Sequence, residues 1–411
     1  MASRVWSTSK LSIIGSPMTR DTPFVMRPWL RCVSAAALVA GLALAAKAQS
    51  VSPKPPLAEE VFKNVQVLKG IPVGEFMDTM GFFSASLGSN CVHCHVDESL
   101  THWEKFAEDV PRKRVARQMI QMVNAVNKAN FGGARVVTCY SCHHGDVRPE
   151  SVPSLLSQYS LPVEDPNKVE IVPGASPGPS ADQILDKYIE ALGDPQRLTS
   201  FIAKGTYEGY DTYEQKIPLE IFAKTPNQRA TIVHTQSGDT TTIFDGRSGW
   251  VAAVDKPVML LPLSPGGETD GARLEAGLAF PASIKNSLNA WKVGFPLTVI
   301  NDRPVQIVQG TGAGGTRVKL YFEVESGLLV RSLRYTNTAV GLVPAQIDYS
   351  DYREVSGVRM PFHWVITWTD GQATINLSDV QANVPIDSNR FARPARAVVR
   401  QIKAVPSGAN R

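Results

Sequence analysis

Two short segments dominate the chemistry open to this chain: Cys91-Val92-His93-Cys94-His95 and Cys139-Tyr140-Ser141-Cys142-His143. Cys-x-x-Cys-His is the attachment signature of a c-type haem. Two thiols spaced by two residues can add as thioethers to the two vinyl groups of one haem, and the His that follows at once lies under the iron as its proximal ligand. The sequence holds five cysteines, four of them in these segments, which begin 48 residues apart. Paired Cys-x-x-Cys segments also build four-cysteine zinc sites, but with roughly 15–20 residues between the pairs and no required His. A redox-active dithiol needs one such pair, not two. The expected cofactors are two covalently bound haem c groups, attached at Cys91, Cys94, Cys139 and Cys142, with His95 and His143 on the irons.

Each iron also needs a partner opposite its His. A Met downstream of its motif fails for the second copy, because after Met122 the next Met is Met259. Upstream, Met77 and Met80 precede the first motif, and Met119 and Met122 precede the second. The order Met-bearing helix, loop, Cys-x-x-Cys-His therefore occurs twice, as an internal repeat. Methionines at i and i+3 are otherwise ordinary core filling, and spacing alone does not separate Met77 from Met80 or Met119 from Met122. His102 is a further candidate for the first iron. His93 and His144 are expected to be exposed, and His234 and His363 to be packed or solvated in strands. Arg112, Lys113, Arg114 and Arg117 crowd one stretch; they read as a solvated face from which Arg114 or Arg117 could pair with haem propionates.

The segments that must position these residues read as helices. Leu57, Val61, Val65 and Leu68 recur at helical spacing until Gly70 and Pro72. Phe76, Met80, Phe83 and Leu87 form a second apolar stripe that ends at Gly88. A third helix starts near Pro111, a favourable first-turn residue, with Val115, Met119, Met122 and Val126 on one face and Gly132-Gly133 as its stop.

Around this region the chain divides readily. Arg27 and Arg31 precede an apolar run, 33–46, and Ala46-Lys47-Ala48 is a small-x-small cleavage signal, so residues 1–48 are expected to be a signal peptide, with translation starting at Met1, Met18 or Met26. The run is shorter than the about 20 residues a spanning helix needs. Cys32 lies in this leader, so the mature chain keeps only the motif cysteines and has none for a structural disulfide. Attachment chemistry and export together point to a periplasm or an equivalent space. The formal charge of +4 falls when the leader goes: 36 basic residues then face 37 acidic ones. No basic stripe is left to neutralise phosphates, so nucleic acid is excluded as a partner.

Residues 49–150 are expected to form the dihaem domain. Residues 151–179, rich in Pro and Gly, read as an extended linker. Residues 180–398 read as a β domain and 399–411 as a tail. Ser180-x-x-Gln183 is a capping box that opens a helix to about Leu192. Val318, Leu320, Phe322 and Val324 alternate with Lys319, Tyr321 and Glu323, which predicts one buried and one wet face. Asp245-Gly246, Ser326-Gly327, Ser356-Gly357 and Asp370-Gly371 suit tight hairpins, and a helical interruption is expected near residues 268–288. Trp250, Trp291, Trp364 and Trp368 are core residues or the lining of an apolar cavity. The fold class is thus α plus β in separate domains: a helical multihaem cytochrome c domain, then a curved antiparallel half-barrel sheet with a few helices. No Ser-His-Asp set, phosphate loop or paired carboxylates stand out.

Several stretches carry a family resemblance. Val65-Gln66-Val67-Leu68, Gly74-Glu75-Phe76 with Met80, Lys113-Arg114-Val115-Ala116-Arg117-Gln118-Met119 and Val137-Thr138-Cys139-Tyr140-Ser141-Cys142-His143-His144-Gly145 resemble the tetrahaem cytochrome subunit of bacterial photosynthetic reaction centres. The match covers roughly residues 57–150, and this chain has motifs for two haems where that family has four. The resemblance implies Met80 and Met119 as the axial ligands. After the linker, Tyr321-Phe322-Glu323, Gly327-Leu328-Leu329-Val330-Arg331 and Asp351-Tyr352-Arg353-Glu354-Val355 resemble the periplasmic lipoprotein-sorting carriers, which implies a curved sheet with a plugging helix.

The function expected is electron transport between periplasmic donor and acceptor proteins, or with a membrane-bound redox complex, rather than enzymatic catalysis. His/Met ligation raises the potential. The alternative is a lipid or lipoprotein binding or sensing module, with an apolar ligand in the β domain and the haem domain appended.

Overall fold

The computed structural model describes residues 53–400 apart from 154, 156–164, 170, 172–177, 210–211, 213 and 295–296. The expected signal peptide, the tail beyond 400 and much of the expected linker lie outside the described residues.

The helical region is built as the apolar stripes require, with one exception. Helix α1 spans only Ala58–Val61. The backbone on either side of it is spent on a loop closure: Ala58 N–H donates to Ile71 O at 2.8 Å and Val73 N–H to Pro56 O at 3.0 Å. Asn64 then takes a left-handed conformation, φ 61°, which Asn tolerates better than most residues. The predicted stripe through Val65 and Leu68 therefore packs from a loop, not from a helix. Helix α2, Val73–Leu87, follows Pro72 and stops at Gly88, which is left-handed at φ 57° and donates its N–H to Ser84 O. Helix α3, Pro111–Asn130, opens on its Pro and runs for 20 residues, about 30 Å. Gly132 and Gly133, both at positive φ, end it. Helix α4 is a single turn, Tyr140–His143.

The β region starts with α5, Ala181–Ala191, whose Ser180/Gln183 capping box forms as expected. Among the described residues, fourteen strands then build one antiparallel sheet. Strands β1 (Ser200–Gly209), β2 (Ile217–Lys224), β3 (Gln228–Thr235), β4 (Gly238–Phe244), β5 (Gly249–Ala252) and β6 (Leu261–Pro262) form one meander. Helix α6, Gly267–Leu278, and a 3-10 stretch, Pro281–Asn286, fill the expected interruption. Strands β7 (Asn289–Val293), β8 (Thr298–Ile300), β9 (Arg303–Thr311), β10 (Arg317–Glu323), β11 (Leu329–Asn337), β12 (Leu342–Val355), β13 (Val358–Trp368) and β14 (Gly371–Ala382) form the other. Pairing of β1 with β14 joins the two meanders. The sheet is open: its outer strands β6 and β7 do not meet. The four predicted Asp-Gly and Ser-Gly dipeptides sit at the β4–β5, β10–β11, β12–β13 and β13–β14 turns.

Helices α5 and α6 cover one face of the sheet. Ile184, Leu185, Tyr188 and Leu274 pack there with Val318, Leu320 and Phe322. The opposite face of β10 is not wet, contrary to the alternation argument: Lys319 is 6 % exposed, Tyr321 0 % and Glu323 7 %. Residues 165–169 and 171, inside the expected linker, are strapped over it. The Lys319 ammonium donates to Asn167 O at 2.8 Å and Val169 O at 2.7 Å, and Asn167 Nδ2 donates to Gln346 Oε1 at 2.9 Å. A covering segment rich in Pro reads as a spacer because its anchoring partners lie more than 140 residues away in sequence.

The helical and β regions pack on each other within one unit that begins at Pro53. Leu68 and Phe82 share a buried cluster with Val340 and Val343, against which Met80, Phe83 and Cys139 also pack. Gly341, at the β11–β12 turn, lies so close to Phe82 and Thr138 that a Cβ there would come within 2.8 Å and 3.3 Å of them. Gly81 similarly abuts the Thr369-Asp370 turn.

Candidate haem-binding site

Both motifs fold into the same backbone arrangement. His95 N–H donates to Cys91 O and His143 N–H to Cys139 O, each at 3.0 Å, while Cys94 N–H and Cys142 N–H reach the same carbonyls at 3.2 Å. One tight backbone turn thus carries both cysteines and the histidine of each motif. The four cysteines are unpaired, two exposed and two half-buried. Among the described residues no three or more His, Cys, Asp or Glu side chains gather as a metal-ion site, so the cysteine pairs do not converge on a zinc-type centre.

The two motifs lie side by side. Gly145 N–H, just past the second motif, donates to Ser86 O at 3.0 Å on the last turn of α2. A Cβ on Gly88, three residues before Cys91, would run into Gly145 O.

Their imidazoles are held differently. His143 Nδ1 lies 2.9 Å from Asp146 O. A carbonyl only accepts, so Nδ1 carries the proton and Nε2 presents its lone pair, the arrangement in which histidines ligate metals. His95 is set by packing: its ring meets Phe106 edge-on at 4.8 Å. Its Nδ1 is buried with no hydrogen-bond partner. Burial, helped by the Lys113 charge and opposed by the Phe106 backbone, pushes its pKa down to about 4, so the ring is neutral at neutral pH. Burial pushes the Cys94 thiol up, against the nearby Arg112 charge, and pushes the Cys139 thiol up as well.

The methionines separate by environment. Met77 and Met80 are half-buried on α2, and Met80 packs with the Phe82 cluster. On α3, Val115, Met119 and Met122 form an exposed apolar stripe, 48 %, 42 % and 50 % exposed. His102 is exposed beside Glu104. His93 meets Arg112, whose Nη1 lies 3.3 Å from the ring and 3.2 Å from His93 O. His144 is exposed. His234 and His363 bond Asp239 and Asn376 in the sheet. Arg117 is committed to Asp109 at 2.6 Å and to Asn64 O, while Arg114 is 3.9 Å from Asp109 with its side chain 55 % exposed.

One positioning residue escaped the sequence reading. Asn127, buried on α3, donates to Val137 O at 2.7 Å and accepts from Val136 N–H at 3.2 Å and Val137 N–H at 2.9 Å. It folds the chain back so that Cys139 returns toward α2. An Asn inside a helix carries no local mark of such a task. Neither does the 338–341 hairpin tip, which comes from the distant β region.

The residues present fit c-type haem: unpaired thiols in matched turns, an imidazole whose Nδ1 is tied to a carbonyl, and a half-exposed apolar stripe on α3. The comparisons point to a cytochrome c subunit. The family described as photosynthetic reaction centre cytochrome C subunit matches residues 33–164. The reaction-centre cytochrome c subunit of Thermochromatium tepidum is 40% identical over 108 residues, 25% of this chain and 24% of that protein. That of Rubrivivax gelatinosus is 34% identical over 101 residues, 24% of this chain and 26% of the relative. The chain thus spans about a quarter of the length of the curated relatives it matches. Among solved structures, a LolA superfamily protein from Nitrosomonas europaea aligns with 52% of this chain and 98% of its own, at 14% identity and TM-score 0.38. A domain assigned to outer-membrane lipoprotein sorting, from Vibrio parahaemolyticus, aligns with 51% of this chain and 94% of its own, at 10% identity and TM-score 0.37. The N-terminal region resembles a reaction-centre cytochrome c subunit.

Proposed function

We propose that this chain is an exported dihaem c-type cytochrome that carries electrons and is not an enzyme. When bound, each haem supplies a one-electron iron couple. Cys91 and Cys94 hold one group and Cys139 and Cys142 the other. His95 and His143 would ligate the irons, and Met80 and Met119 would be their further ligands. Asp146 O fixes the His143 tautomer, Phe106 fixes the His95 ring, and the α2–Gly145 contact keeps the two motif turns adjacent, as exchange between two centres requires. The observation that carries this reading is the pair of matched Cys-x-x-Cys-His turns with four unpaired thiols. Donor and acceptor are periplasmic proteins or a membrane-bound redox complex. Among the described residues no helix is long and apolar enough to cross a membrane; residues 1–48 serve as the export signal. A pyridine haemochrome assay on protein purified from a periplasm tests the reading: two haems per chain are expected, and none or one overturns it.

A second reading gives the β region an apolar ligand. Its support is a chamber of about 70 Å³ lined by Leu198, Phe201, Met360, Trp364 and Leu377. Native mass spectrometry of the full chain checks it: a retained apolar molecule is expected, and a ligand-free spectrum contradicts it.

A further inference from the structure

A second cavity, about 190 Å³, lies between α6 and the sheet. That is room for about six waters, smaller than the site of a drug-sized ligand. Its lining is mixed: Arg229 and Thr231 of β3, Thr242 of β4, Glu268 and Glu275 of α6 and Arg334 of β11 stand beside Phe244, Leu263 and Ala272, and Arg229 and Glu275 also line the chamber next to it. Thr231 and Thr242 stand directly opposite each other across the β3–β4 ladder.

Arg229 is the anomaly. Its side chain is 11 % exposed, yet its carboxylate partner, Glu275, stays 3.8 Å away. Its other polar contacts, to Thr231 Oγ1 and Glu275 O, are both 3.4 Å, and its guanidinium lies over the Trp364 ring at 5.3 Å. Charge-assisted hydrogen bonds normally close to about 2.7–2.9 Å. The comparably buried arginines of this chain do close: Arg117 holds Asp109 at 2.6 Å with 12 % exposure, and Arg331 holds Asp348 at 2.5 Å with 14 % exposure. A buried cation without a close anion is costly. Arg334, across the cavity, donates to Thr336 Oγ1 at 2.7 Å and Gly267 O at 3.3 Å, neither of them an anion.

The two glutamates do not fill this role. Glu268 Oε2 accepts from Ser264 N–H at 2.7 Å, and its carboxylate abuts Gly74 at the N-terminus of α2, where negative charge is favoured. Glu275 is 40 % exposed and stays 3.8 Å from the Arg229 guanidinium.

We propose that this cavity binds a small molecule carrying a carboxylate or phosphate group, which takes the place beside Arg229 that Glu275 only approaches. Arg229 and Arg334 hold the oxyanion, and the Thr231 and Thr242 hydroxyls donate to it. The site stands apart from the haem motifs and does not depend on their reading. Calorimetric titration of the full-length, haem-loaded protein at low salt tests it with three probes: inorganic phosphate, hexanoate, and monomeric dihexanoyl phosphatidate. Binding of phosphate or hexanoate identifies a free oxyanion as sufficient; binding of the phosphatidate alone identifies a lipid headgroup; either supports the site. Arg229→Gln should weaken the bound probe at least tenfold. Glu275→Gln, which removes the competing carboxylate and leaves the cation, should tighten it at least threefold. Binding of none of the three, or affinity unchanged in both variants, overturns the proposal.

Discussion

The two Cys-x-x-Cys-His units share one backbone turn but not one environment. The helix ahead of the first, α2, is pressed into the β region through Gly74, Gly81 and Phe82. The helix ahead of the second, α3, leaves Val115, Met119 and Met122 bare. His95 is half-buried and packed on an aromatic ring, whereas His143 is tied to a carbonyl. A repeat in sequence therefore supplies equivalent attachment chemistry, and the fold around it makes the two centres unequal. Burial, axial ligand and hydrogen bonding are a protein's means of setting a haem potential, so haems held at these two motifs would differ in potential.

Removing either attachment pair is the harshest way to break the comparison. Cys91→Ala with Cys94→Ala, and Cys139→Ala with Cys142→Ala, should each leave one haem per chain by intact-mass measurement. Loss of both from either variant would show that the units are not independent.

Axial substitution separates the centres more finely. Met80→His and Met119→His should each lower one potential by on the order of a hundred millivolts, within the roughly 0.8 V that axial ligands span. Spectropotentiometric titration should resolve two steps in the parent protein, with Met119→His moving the lower one, because α3 is the more exposed helix. The weak red charge-transfer band of Met-ligated ferric haem should shrink in each variant and vanish in the double. If neither band nor potential moves, Met77 and Met122 become the ligands to examine.

Packing contrasts give smaller effects. Asn127→Ala removes three hydrogen bonds to the 136–137 backbone ahead of the second motif and should cost about 1–3 kcal/mol. Gly341→Val forces Phe82 and Thr138 apart and should cost a similar amount, about 1–3 kcal/mol. Denaturant melts measure both, and an unchanged midpoint would remove these residues from the account.

The smallest expected effect is electrostatic. Burial raises the Asp370 carboxyl above its ordinary value of 3.8. The folded state then holds the proton more tightly than the unfolded one, so this group's stabilisation is full at acid pH and is lost as pH rises through the raised value. Asp370→Asn should match the parent near pH ~4 and melt higher near pH ~8; equal melting at both would contradict that assignment.

Much of this was legible in the chain. The Pro111 and Gly132-Gly133 limits of α3, the Ser180 cap and the four turn dipeptides are local signals, and the structure places each where its chemistry predicts. What was not legible depends on distant partners. Nothing near Val61 announces that residues 56–58 bond 71–73 and cut α1 short. Nothing near Lys319 announces that residues 165–169 cover its face of the sheet. Asn127 and the 338–341 tip shape the second motif without belonging to any motif. The ligand choice was also beyond spacing: Met77 and Met80 lie on one helix face, and only the family resemblance favoured Met80 and Met119.

The central claim is that both motifs carry haem. Proteolysis of the full-length protein under denaturing conditions, followed by peptide mass spectrometry, reads this directly. The account predicts one haem mass on the peptide containing residues 91–95 and one on the peptide containing 139–143, each surviving denaturation as a covalent adduct; unmodified cysteines in either peptide would contradict it.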